Sequence, residues 1–155
     1  MLLGLEGFSN VVTFDNPIDA LKHLKENEFD LIISDFIMPQ MNGIDFLENA
    51  KKFQKEVSTI LLTGYADKEN AIRAINEIGI FKYIEKPWDN DDLLMNIRNG
   101  IERSHLLSKL REKIAELEEA KKQLEIYKKA LEEALGRKVD KTYIYSLYLN
   151  KEIPI

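Results

Sequence analysis

A chain of 155 residues can bury one real hydrophobic core and little more. Its net charge of -5 argues against nucleic acid as a direct partner, because phosphate binding needs a basic surface, and the absence of cysteine excludes a disulfide framework and a thiolate metal site. No histidine-based metal motif joins His23 and His105, no apolar run approaches the ~18 residues of a membrane span, and no signal peptide opens the chain, so a cytoplasmic protein without membrane contact is expected.

Residues 1–7 are apolar and broken by Gly4 and Gly7, as at the end of an element. Residues 10–14 (NVVTF) are short and β-branched and predict a strand. Asn16 followed by Pro17 gives a helix N-cap with proline at the first helical position, and Ile18, Ala20, Leu21 and Leu24 carry the helical spacing to about Lys25. Residues 30–34 contain the run Leu31, Ile32, Ile33, which reads as a buried strand of a parallel sheet ending at Ser34 and Asp35. After the turn closing on Gly43, the stripe Ile44, Phe46, Leu47, Ala50 and Phe53 predicts a helix.

Residues 58–63 (STILLT) form the next predicted strand. Asp67 is positioned to cap a helix carrying Ala71, Ile72, Ala74, Ile75 and Ile78, with Gly79 as its C-terminal stop. Residues 80–84 (IFKYI) predict a fourth strand, and Asp89 caps a further helix with Asp92 in its first turn. Strands alternating with helices imply parallel βαβ units, an α/β fold.

The second, third and fourth strands end in Asp35, Thr63 and the pair Glu85-Lys86. In a parallel sheet these ends share one edge, where open α/β sheets hold their reactive groups. An acid, a hydroxyl and an ammonium together make a phosphate-sized site: Asp35 as nucleophile, with Thr63 and Lys86 holding the oxygens. Taken singly, Asp35 is equally a loop cap, Thr63 a strand former and Lys86 a solvated cation. It is their coincidence that points to chemistry.

Asp35 with MPQMNG, Thr63-Gly64 and Lys86-Pro87, three separated motifs in the right order, resemble the receiver domain of two-component response regulators over residues 1–104. The resemblance implies a flavodoxin-like parallel sheet and phosphorylation of Asp35 by a partner histidine kinase. It further implies Thr63 and Lys86 as phosphate-sensing residues, Tyr83 as an aromatic switch, and a cis peptide before Pro87. Receivers also begin with a central strand ending in paired acids that hold Mg²⁺. Residues 1–7 match only the tail of the helix after that strand, so the chain is N-terminally truncated relative to the family. Of the family's Mg²⁺ ligands, Asp35 and the Ile37 carbonyl are present.

Helical pattern then continues to Gly136. Leu110, Leu117, Leu124 and Leu131 recur every seven residues, with Leu107 and Ile114 at the other core position, and predict a coiled-coil helix over 105–136 that makes a homodimer through 107–135, the alternatives being a long helix folded onto its own domain or a linker to an output domain. Lys121 and Lys128 occupy that second position further along, while Ala120, Tyr127 and Ala134 offer a shifted apolar stripe. In the tail, 137–155, residues 142–149 (TYIYSLYL) are β-prone and are expected to fill the vacant central strand position of a partner in an antiparallel swapped dimer. Lys151 would then stand near Asp35.

The leading expectation is a phosphorelay receiver that signals through its coiled-coil dimer. The alternative is a phosphorylation-incompetent interaction module built on a degenerate receiver. A phosphatase-like enzyme using Asp35 is not expected, because no second catalytic acid is evident beside it.

Overall fold

The computed structural model describes residues 10–64, 77–139, 143–146 and 151–154. The chain divides into two compact units, Met1–Lys109 and Leu110–Ile155.

In the first unit, α1 (Pro17–Leu24) starts where Asn16 accepts a 2.8 Å hydrogen bond from the Ile18 N–H, with Pro17 in the first turn. β1 (Leu31–Asp35), β2 (Ser58–Thr63) and β3 (Lys82–Glu85) form a parallel sheet in the order β1-β2-β3. Leu31 is registered with Ser58 and Asp35 with Leu62, and Thr63 is registered with Glu85. α2 (Gly43–Phe53) begins at Asn42, whose side chain accepts from the Asp45 N–H at 2.9 Å. α3 (Asn90–Leu135) begins under the Asp89 carboxylate, which accepts from the Asp91 and Asp92 N–H groups. Residues 77–78 are helical and Gly79 follows with φ +73, the left-handed conformation that ends a helix.

Successive strand residues face opposite ways, so the sheet sits between two apolar clusters. Ile32 and Leu61 join Ala20, Leu24, Phe46, Leu47 and Ala50 of α1 and α2. Leu31, Ile33, Ile60 and Ile84 join Ile97 and Ile101 of α3. The α/β fold with a flavodoxin-like parallel sheet is the architecture expected from the sequence, and among the described residues no strand lies beside β1 on the side away from β2.

One predicted element is corrected. Residues 10–14 form no strand, and Val11 and Val12 are exposed. Strand propensity is realised only by packing and pairing on a pleated surface. Among the described residues nothing offers 10–14 a hydrogen-bonding partner. β1 is the terminal strand of the sheet on that side. The expectations for residues 1–7, for Asp67 as a cap and for Ala71, Ile72, Ala74 and Ile75 lie outside the described residues.

In the second unit, α3 continues to Leu135 and Gly136 follows with φ +64. The seam residues Leu110, Ile114, Leu117 and Leu131 are all exposed in the single chain. Of the strand expected over 142–149, residues 143–146 are described and form one, while 142 and 147–149 lie outside the described residues. β4 (Tyr143–Ser146) pairs antiparallel with β5 (Lys151–Pro154), Tyr143 opposite Pro154 and Ser146 opposite Lys151.

Candidate functional site

The parallel ladder carries the three strand ends to one edge. The Phe36 N–H donates to the Leu62 carbonyl at 2.8 Å and the Lys86 N–H to the Thr63 carbonyl at 2.8 Å, so pairing persists one residue beyond β1 and β3. Asp35 and Lys86 meet there: Lys86 Nζ lies 2.7 Å from Asp35 Oδ1. That oxygen is itself shielded from solvent and accepts no well-aligned hydrogen bond, so the ammonium meets it as an ion pair. The two side chains as wholes are nearly half exposed, which leaves the carboxylate open to an incoming group.

Thr63 ends β2 and is buried, its hydroxyl donating to the Gly64 carbonyl at 3.2 Å. Tyr83 on β3 is half-buried and packs against the cluster that holds Ile32 and Leu61. The Lys86-Pro87 peptide is cis, as the resemblance implies. The loop from Phe36 to Gly43 is closed by a 2.8 Å hydrogen bond from the Gly43 N–H to the Phe36 carbonyl, and Gln40 within it has φ +69. The Ile37 side chain is exposed.

Sequence reasoning missed two contributors. A Cβ at Gly43 would stand 2.1 Å from the Asp35 carbonyl oxygen, so only glycine lets α2 start so close to the end of β1. Ser34 Oγ donates to that same carbonyl at 3.0 Å. The available signal was a glycine directly after an N-cap asparagine, where any good helix former would otherwise serve.

Chemically, the edge presents a carboxylate able to take an electrophile and an ammonium able to offset the charge that arrives with it. Mg²⁺ asks for near-octahedral oxygen ligands. The described residues bring one carboxylate, already engaged by Lys86, and the Ile37 carbonyl, and contain no group of three acidic or histidine side chains suited to a metal. This donor set does not fit the ion by itself. No helix among the described residues is long and apolar enough to cross a membrane.

A family model described as the response regulator receiver domain matches residues 1–98. Among curated relatives, the transcriptional regulatory protein GlrR of Escherichia coli strain K12 is 35% identical over 107 residues, covering 66% of this chain and 24% of that protein. The probable transcriptional regulator ycf29 of Porphyra purpurea is 36% identical over 105 residues, covering 66% of this chain and 49% of that protein. The chain thus spans between a quarter and a half of these relatives' length. Among solved structures, a response regulator receiver domain protein from Clostridium thermocellum superposes with a TM-score of 0.64 at 38% identity, covering 68% of this chain and 84% of that one. An adenylate cyclase from Rhodopirellula baltica superposes with a TM-score of 0.70 at 27% identity, covering 74% and 84%.

Proposed function

This chain belongs to the response regulator receiver domain family, and from that premise we propose that it accepts a phosphoryl group on Asp35 from a histidine kinase and signals through a coiled-coil dimer. The observation that carries the proposal is the 2.7 Å contact between Asp35 and Lys86 at the common strand edge. An Asp35 oxygen attacks the phosphorus of a phosphohistidine. The new O–P bond forms as the P–N bond breaks, and the departing imidazole nitrogen keeps the electron pair and is protonated from solvent. Lys86 passes from the carboxylate to the oxygens of the acyl phosphate, and the Thr63 hydroxyl turns from the Gly64 carbonyl to a phosphoryl oxygen. Tyr83, on the strand beside Thr63, follows the vacated space. The leucine seam of α3 then couples two copies.

The test is to incubate the full chain with a small phosphodonor and Mg²⁺ and weigh the intact protein. A gain of one phosphoryl group, absent from Asp35→Ala, is expected. No gain in the parent chain would overturn the proposal in favour of an interaction module without phosphorylation, the reading that the single carboxylate of the described donor set favours.

A further inference from the structure

β1 is a central strand by packing and an edge strand by hydrogen bonding. Ile32 lies in the cluster under α1 and α2, while Leu31 and Ile33 lie in the cluster under α3, so both faces are covered. The Phe36 N–H donates to Leu62 and the Asp30 carbonyl accepts from Ser58, so even-numbered residues turn their backbone groups to β2. Leu31, Ile33 and Asp35 turn theirs to the other side, where no strand meets them among the described residues. Before Asp35 this edge carries none of the lysine, proline or bulge that usually guards an exposed strand.

The seam of α3 indicates what covers it. Parallel pairing of two copies sets like positions together, Lys121 against Lys121 and Lys128 against Lys128, inside the seam. Antiparallel pairing crosses the two core positions. Leu107 then faces Leu131 of the second copy, Ile114 faces Leu124, Lys121 faces Leu117 and Lys128 faces Leu110, so no lysine meets another. In this register Leu135 of the second copy arrives beside Arg103. That part of α3 lies on β1: a Cβ at Gly100 would be 2.8 Å from Leu31 Cδ1, and His105 Nε2 is 2.9 Å from Asp30 Oδ1. Residues 136–142 of the second copy can then span up to about 23 Å, at about 3.3 Å per residue, before β4 begins.

Resting on the coiled-coil dimer proposed above, we propose that β4 of a second copy adds in parallel to the open edge of β1. Its hairpin with β5 stays intact. The resulting sheet reads β5-β4 of the second copy, then β1-β2-β3, and reciprocal exchange closes a two-fold dimer. The strand that arrives, YIYS, is uncharged and β-prone, which suits an apolar edge.

The chain has no native cysteine, so engineered ones report cleanly. On oxidation, Leu107→Cys and Leu131→Cys chains should cross-link when mixed but not separately. Hydrogen exchange on the full-length dimer should then show the Leu31, Ile33 and Asp35 amides exchanging at least about tenfold more slowly than in Tyr145→Pro, with the β2 amides slow in both as proof of an intact sheet. Light scattering that gives a monomer overturns the dimer and the exchange together. A dimer in which Leu107→Cys links to itself has the parallel order and overturns the exchange alone. So does an antiparallel dimer whose β1 amides are indifferent to Tyr145→Pro. Protection that depends on Tyr145 in a monomer assigns the edge to the chain's own tail and likewise overturns it.

Discussion

A methyl group at position 43 would overlap the carbonyl oxygen of Asp35, a backbone atom that cannot turn aside as a flexible side chain can. Gly43→Ala must therefore push α2 away from the end of β1. Overpacking of this kind costs about 1–3 kcal/mol, and denaturant unfolding should place Gly43→Ala in that range, at or above the ~1 kcal/mol expected for removing the neighbouring cap in Asn42→Ala. The same displacement should slow phosphoryl uptake at Asp35 without removing the acceptor. Asp35, Thr63 and Lys86 were legible in the sequence because each follows an apolar run, and a parallel sheet must bring such ends together. Gly43 was not, since its requirement comes from a through-space approach between segments eight residues apart, which spacing does not encode.

The helices were the most readable elements, because their caps are local chemistry. Asn16 and Asp89 each accept the N–H bond expected of them, and Asn42, which was not singled out, caps α2 in the same way. Residues 10–14 were misread for the opposite reason: a strand is not local, and β-branched residues do not make one without a neighbour to pair with. Gly100 shows how an element can be tuned by what it packs on. An added Cβ there would meet Leu31 Cδ1, the end of a side chain that can swing, and not the main chain. Ala in mid-helix is worth about 0.5–1 kcal/mol over Gly, and shifting Leu31 takes back a similar amount. Gly100→Ala should therefore change the unfolding free energy by less than about 0.5 kcal/mol, in contrast to Gly43→Ala, when the two are compared by urea titration.

At the scale of the whole molecule, the apolar seam of α3 is exposed in one chain, Leu117 by 68%. In the proposed dimer, substituting it leaves the fold of a single copy intact and acts on association. Ile114→Asp faces the apolar Leu124 of the second copy in the antiparallel order and another aspartate in the parallel one, and in either should weaken dimerisation by about 2 kcal/mol or more, roughly thirtyfold in Kd, measured by sedimentation with the far-ultraviolet spectrum unchanged. Leu117→Asp should be milder in the antiparallel register, where it faces Lys121 of the second copy, and as harsh in the parallel one, where it faces another aspartate. The heptad spacing of Leu110, Leu117, Leu124 and Leu131, and the helix that carries it, were plain in the sequence. The hairpin of β4 and β5 was not, because its apolar residues carry no periodicity that distinguishes one strand from two. The order of the chain adds a matter of timing. A ribosome that has released residues 31–63 has made β1 and β2, while Tyr143–Ser146 are still some eighty residues from being made. In the proposed exchange, the outer edge of β1 waits throughout the synthesis of α3 for a strand that has not yet been made.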